Sequence, residues 1–447
     1  MVKKRIVVLG SGFAGVECCK KLESHFRRDP DIELVMISED NFILFTPLLP
    51  QVASGMIETR HVIAPIRTIL KKTTFYEGKI KNIDPYGKVV TTWGTNERRG
   101  ISLHYDYLVV ALGSETNFFG LKDVERYSYT MKTLNDAVIL RNRIIDMLEQ
   151  AENETDPVLR KSLLTFVVVG GGFAGIETAG EIHDFLLDAS EYYPKINKDD
   201  IKVIILEALP NILPGFEKTL AEFAHKKMVE RGIDLKLNTA VTSFDGEEVL
   251  IKYMKDKDSG NKKITGIRTG TLIWTAGVTP VNVIKRSLLK TEKGMIIVNK
   301  NLEVEDFPGV FAIGDCALTI NPETKKPFPP TAQLAEAGAN IVAYNLWALI
   351  VGKEKKKFEY EAQGQLAAIG KRSGIASVLG MNISGFWAWL LWRNIYLSKM
   401  PTLDKKVRVF LDWLIDLFFR RDISRLKIVK RPTEKEYKEL EEVDDVW

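Results

Sequence analysis

Two apolar runs in this chain each lead into nearly the same octet. RIVVL (5–9) precedes GSGFAGVE (10–17), and TFVVV (165–169) precedes GGGFAGIE (170–177). Runs of β-branched residues without polar alternation suit strands buried on both faces of a parallel sheet. After each octet the period changes. ECCKKLESHF and ETAGEIHDFLL space their apolar residues as helices do. Both octets therefore sit at a strand–turn–helix junction. IELVMIS (32–38), YDYLVVALGS (105–114), KVIILE (202–207), TLIWTAGV (271–278) and VFAIGDCA (310–317) predict further strands.

The C-terminal pattern is different. ISGFWAWLLWRNIYL (383–397) is apolar and rich in tryptophan, but it is short and carries Arg393. LDKKVRVFLDWLIDLFFRRDISRLK (403–427) has helical period. Val407, Phe410, Leu411, Leu414, Leu417 and Phe418 form one stripe, with Asp412, Asp416 and most cations away from it. Lys405, Lys406 and Arg408 flank one end of this stripe, and Arg420, Arg421, Arg425 and Lys427 the other. The tail KRPTEKEYKELEEVDDVW reads as a solvated end. No stretch reaches the roughly 20 apolar residues that span a bilayer.

At 447 residues the chain exceeds one ordinary core, so two or three domains are expected. A net charge of +4 argues against a dedicated nucleic-acid binder. Three cysteines, Cys18, Cys19 and Cys316, form no disulfide framework, and five scattered histidines suggest no metal site. The basic, apolar start resembles a signal peptide, but Gly10, Gly12, Gly15 and Glu17 break it, and a buried first strand explains it better.

The octets carry the candidate chemistry. Gly10 and Gly170 permit the tight turn. Gly12 and Gly172 let backbone approach a pyrophosphate, and Gly15 and Gly175 let helix and strand pack. The helix start then offers N–H groups and a positive dipole end to phosphates. A ribose-binding acid belongs at the end of the next strand. Glu207 fills that place in the second unit and favours NADH over NADPH. In the first unit Glu39 and Asp40 follow the strand, one residue out of step. Two dinucleotide sites imply one resident FAD and one exchanging NADH. Glu177 lies in the first turns of its helix, where the dipole stabilises a carboxylate. Glu17 holds the same place in the first unit, so a structural role is equally open.

LFTPLLPQVASG (44–55), YLVVALGS (107–114), VVVGGGFAGIETAGEI (167–182), LEALPNILPGF (206–216), FAIGDCA (311–317), PPTAQLAEAG (329–338) and GQLAAIGKR (364–372) occur in this order. Together they resemble the type II NADH dehydrogenases, membrane-attached FAD enzymes that reduce quinone without pumping protons. The resemblance implies an α/β fold with two Rossmann-like dinucleotide-binding domains and a C-terminal membrane-associating region. It implies FAD on residues 1–120 with 280–350, NADH on 121–279, and amphipathic surface helices in 351–447. Gly10, Gly12, Phe13, Ala14 and Gly15 would hold the FAD phosphates, Glu39 its ribose, the Ile80 backbone its adenine, and Gly314 and Asp315 its ribityl chain. Gly113 and Gly277 close the two units, with Ala332 beside the flavin. Gly170, Gly172, Gly175 and Glu207 would hold NADH. Glu177 and Gln333 would serve the quinone step. Two positions depart from the family pattern: Ser38 stands at the usual acid, and Ala337 at the second Gln of AQxAxQ.

Partners implied are a membrane quinone and the bilayer surface, with a homodimer left open and no nucleic acid. The expected location is peripheral, on the cytoplasmic face of the cell membrane or the matrix face of an organelle. The stripe at 407–418 could equally pack on the protein itself. A sulfide:quinone reductase would need a cysteine pair by the flavin. A ferredoxin-type or NADPH-linked reductase, or a flavin-binding redox sensor, would keep the cradles and change the acceptor.

Overall fold

The computed structural model describes residues 3–93, 100–254 and 264–426; Lys427 and the charged tail lie outside them. Both apolar runs become central strands of five-stranded parallel sheets. In the first sheet the order is Val310–Ala312, Tyr107–Val110, Lys4–Leu9, Ile32–Ser38, Thr74–Glu77. In the second it is Tyr129–Thr130, Thr271–Trp274, Thr165–Val169, Lys202–Leu206, Asp234–Lys236. The two sheets repeat one plan. The central strands are buried on both faces, which is why neither run alternates.

Each central strand turns into a helix, Phe13–His25 or Phe173–Ser190. Gly10 and Gly170 have φ of +100° and +109°, which favours glycine. A Cβ on Gly15 would lie 1.9 Å from the Gly10 carbonyl oxygen, and one on Gly175 1.8 Å from that of Gly170. These glycines are required by the chain itself. An antiparallel ribbon, Ser114–Thr116 against Val278–Pro280, joins the ends of the two units.

Helix Ala332–Val351 corrects one expectation. It is long and apolar enough, by length and composition, to cross a membrane. It packs instead on helix Phe13–His25, its Ala335, Ala339, Val342 and Leu346 sharing a core with Ala14, Cys18, Cys19 and Leu22. The adjacent cysteines serve as small apolar residues in this seam.

The C-terminal part begins with a three-stranded antiparallel sheet, Gly364–Ala368, Gly374–Val378 and Met381–Gly385. Helices Phe386–Lys399 and Leu403–Ile415 follow. Ala388, Trp392, Met400, Val409 and Trp413 share the core of the second unit with Leu48, Val52, Leu140, Ile176 and Ile182.

Candidate active site

The glycines that the chain does not require mark the site. A Cβ on Gly12 or Gly172 would meet nothing within 4 Å, and their φ values, −74° and −77°, suit any residue. Glycine there keeps open the approach to a helix N-terminus, where unpaired N–H groups and the dipole favour phosphate. The residues present therefore fit a dinucleotide in each cradle.

The ribose positions differ between units. Gly10 donates to the Ile37 carbonyl at 2.8 Å and Gly170 to that of Leu206 at 2.9 Å, so Ser38 and Glu207 share one register. Glu207 is buried rather than a solvated strand end. Its Oε2 accepts from the Gly171 N–H and its Oε1 from that of Leu209 at 2.7 Å. In the first unit Ser38 does this work: its Oγ accepts from the Ser11 N–H at 3.1 Å. Glu39, one step on, points outward beside Lys79 at 3.4 Å with 63% of its side chain exposed. The carboxyl of Asp40 is pushed up by burial, then by Glu39 and Glu77. Ile80 is buried at the start of the strand that follows, two residues after Gly78, which donates to the Ser38 carbonyl at 2.8 Å.

Gly113 (φ +66°) has open space where a side chain would be, next to Asp315. Asp315 accepts from Ser114 Oγ at 2.6 Å, and Lys132 lies 3.8 Å from the same oxygen. Lys132 also donates to Ser114 at 2.9 Å. Sequence reasoning missed Lys132, because it precedes the Thr133–Asp136 capping box and reads as a surface residue. The chain makes one 3-10 turn, Gly314–Cys316, and the next helix starts only at Ala332. Gly314 (φ +73°) approaches Ala14 and Ala335, bringing Asp315 to the first cradle. Gly277 (φ +77°) has the same left-handed backbone as Gly113, and a Cβ there would come 2.7 Å from the tip of the exposed Phe119 ring, which can give way.

Glu177 and Gln333 grip the same strand. Gln333 Nε2 donates to the Gly364 carbonyl at 3.1 Å, and its Oε1 accepts from Gln363 at 3.3 Å. Glu177 Oε1 accepts from the Ala368 N–H and from Trp392 Nε1, each at 3.0 Å. Burial pushes the Glu177 carboxyl up to about 8 against those two hydrogen bonds, and nearby Glu181 adds to the rise. Trp392 and Tyr396 are further residues the sequence did not flag, hidden inside a tryptophan-rich run. They belong to an aromatic series: Phe13–Phe45 at 5.8 Å, Phe45–Tyr396 at 6.1 Å, Tyr396–Trp392 at 4.5 Å, Trp392–Trp413 at 6.2 Å. It runs from the first glycine turn to the C-terminal helices.

The thiols are passive. Burial pushes Cys316 up to about 11 and raises Cys18 and Cys19 further. None is the exposed, low-pKa thiol that sulfur transfer needs.

Two glycine cradles on repeated parallel sheets, with no reactive thiol between them, define a two-dinucleotide oxidoreductase. Residues 4–339 match the model of the pyridine nucleotide-disulphide oxidoreductases, and residues 362–422 that of the NDH2 C-terminal domain. The chain is 32% identical to a mitochondrial external alternative NADH-ubiquinone oxidoreductase of Yarrowia lipolytica, covering 95% of this chain and 81% of that one. It is 31% identical to a type II NADH:quinone oxidoreductase of Mycobacterium tuberculosis, covering 94% and 89%. The chain belongs to the type II NADH:quinone oxidoreductase family. Its fold is that of NDH2 from Plasmodium falciparum in complex with NADH, with a TM-score of 0.85, 22% identity and coverage of 94% and 100%. The sulfide:quinone oxidoreductase of Aquifex aeolicus shares the fold at a TM-score of 0.71, 20% identity and coverage of 93% and 95%.

Proposed function

We propose that the protein oxidises NADH with a bound FAD and reduces a membrane quinone, without pumping protons. The observation that carries this is the pair of open cradles at Gly12 and Gly172. Gly10, Gly12, Phe13, Ala14 and Gly15 would hold the FAD phosphates, the Ser38–Glu39 strand end and the Ile80 backbone its adenosine, and Asp315 with Gly314 its ribityl chain. Lys132 and Ser114 fix the Asp315 carboxylate in place. Gly170, Gly172 and Gly175 hold NADH, with Glu207 disfavouring a 2′-phosphate. Residues 1–120 with 280–350 form the FAD domain and 121–279 the NADH domain.

When bound, FAD supplies the redox chemistry, taking two electrons from NADH and giving them to the quinone. The chain supplies position and protons. Glu177 holds a proton at neutral pH, and Trp392 and Ala368 bond only its Oε1. Oε2 is therefore the atom from which the proton passes to the reduced quinone. Gln333 keeps strand Gly364–Ala368 against the cradle.

The quinone dissolves in lipid, so the enzyme sits peripherally on the cytoplasmic or matrix face. Val407, Phe410, Leu411, Leu414, Leu417 and Phe418 are all exposed. This row lies in the bilayer interface, flanked by cations drawn to anionic head groups.

Anaerobic titration tests the reading. One equivalent of NADH bleaches the flavin absorbance, and a soluble quinone restores it. Colourless protein that takes up no FAD would end the proposal.

A further inference from the structure

The chain does not leave the molecule after its amphipathic helix. From Asp416 it runs as a strap across helix Leu134–Asn153. Arg141 donates to the carbonyls of Asp422 at 2.8 Å and Ser424 at 3.0 Å. Asn142 and Leu426 exchange two hydrogen bonds, and Arg425 pairs with Asp146. Arg421 alone among the strap's arginines turns fully inward, with 2% of its side chain exposed. Its Nε donates to Asp416 at 3.2 Å, its Nη1 to the Glu181 carbonyl oxygen at 3.3 Å, and its Nη2 lies 3.2 Å from Glu181 Oε2. That oxygen also accepts from Ser54 Oγ at 3.0 Å.

Glu181 and Glu177 are four residues apart on helix Phe173–Ser190, and so share a face. Around Glu181 stand Arg421 and Asp416 from the strap's side, Asp184 from its own helix, Arg393 from helix Phe386–Lys399, and Ser54. Around Glu177 stand Glu181, the Ala368 N–H, Trp392 and Tyr396. Burial pushes the Glu181 carboxyl up, and the largest opposing effect is the Arg421 guanidinium, which does not deprotonate. Arg421 is the cation that reaches Glu181, and Asp416 on its other side caps the amphipathic helix.

We propose that Arg421 is a positioning residue for the quinone step: paired with Glu181 through the strap, it keeps that carboxylate's charge fixed one helical turn from Glu177. The proposal rests on Glu177 as the proton group. Without Arg421, two neighbouring buried carboxyls keep only Arg393 as a nearby cation and hold protons to higher pH.

The test is quinone turnover against pH on the holoenzyme, with NADH-driven flavin bleaching measured separately. In Arg421→Gln, quinone kcat at neutral pH falls by less than about tenfold, because a weaker acid gives up its proton more slowly, and the pH limb moves alkaline by about one unit. The bleaching rate stays as it was. Arg421→Lys keeps the original limb. The double variant Arg421→Gln/Glu181→Gln returns it, since both charges are gone. Glu181→Gln alone moves the limb to acid, and carries the test if Arg421→Gln does not fold. An unmoved limb in Arg421→Gln or Glu181→Gln, or one the double variant does not return, overturns the proposal. Glu177→Gln separates the two readings: wild-type turnover and profile there would remove Glu177 itself, whatever Arg421 does.

Discussion

At the scale of single residues, the two glycines of one cradle have opposite reasons for being glycine. Gly12 has room for a Cβ, whereas Gly15 has a carbonyl oxygen 1.9 Å from where one would sit. Gly12→Ala should therefore fold like the parent yet purify without flavin, checked by circular dichroism and absorbance at once. Gly15→Ala should lose the fold itself, seen as a large fall in Tm. Glu177 allows a second test. Its carboxyl is raised from 4.5 to about 8, so the folded state binds this proton more tightly than the unfolded chain. The stability it contributes is full below pH 4.5 and is lost as pH rises through about 8. Glu177→Gln keeps an acceptor for Trp392 and Ala368 and removes the titration. Its Tm relative to the parent should climb between pH 5 and pH 9, and an unchanging difference would refute the buried proton. Its quinone turnover should fall by about a hundredfold or more.

At the scale of elements, the amphipathic helix is shorter than its pattern. Helical period continues to residue 427, but the helix ends at Ile415. Asp416 and Arg421 then pair, and Arg421 draws the chain into the second unit's core. Period alone does not register that competition. The helix is also two-sided. Val409 and Trp413 are buried, with Trp413 Nε1 donating to Gln51 at 2.8 Å. Asp412 is held by His61 at 2.6 Å and so faces the protein. Most of the tryptophans in this region pack inward as well: Trp389, Trp392 and Trp413 are buried, and Trp387 is exposed. Opposite outcomes follow for the two faces. Phe410→Ser/Leu414→Ser should leave Tm nearly unchanged and weaken co-sedimentation with anionic vesicles by about a hundredfold or more, since each lost apolar side chain contributes about 1.5–3 kcal/mol on burial. Trp413→Ala should cost about 3–5 kcal/mol of stability. Unaltered vesicle binding in the double variant would turn the exposed row toward a second subunit.

At the scale of the whole molecule, one core cluster joins the second unit to the C-terminal helices, and strand Gly364–Ala368 is held at one end by Gln333 and at the other by Glu177. The proposed quinone chemistry thus sits where three parts of the chain meet. Ligand linkage should be correspondingly global. Protein stripped of flavin should gain about 2.7 kcal/mol from FAD at a hundred times its Kd, read as a rise in Tm of the whole transition. A rise confined to an early partial transition would show that the first unit unfolds alone.

Taken alone, the order of residues determined the features that depend on neighbours along the chain. The buried strands, both glycine turns and their helices, the acid after Lys202–Leu206 and the apolar stripe of the last helix are all local, because each follows from spacing and backbone sterics. What only the tertiary structure decided concerns residues far apart. Ser38 rather than Glu39 shares the register of Glu207, because strand pairing counts from the neighbouring strand. Lys132 meets Asp315, Trp392 meets Glu177 and Arg421 meets Glu181 across roughly 180 to 240 positions of chain. The same octet stands at Glu17 and Glu177, yet Glu17 is salt-bridged to Lys20 and only Glu177 is buried under another part of the fold. Desolvation is a property of what packs on top of a residue, and that is set by the fold as a whole.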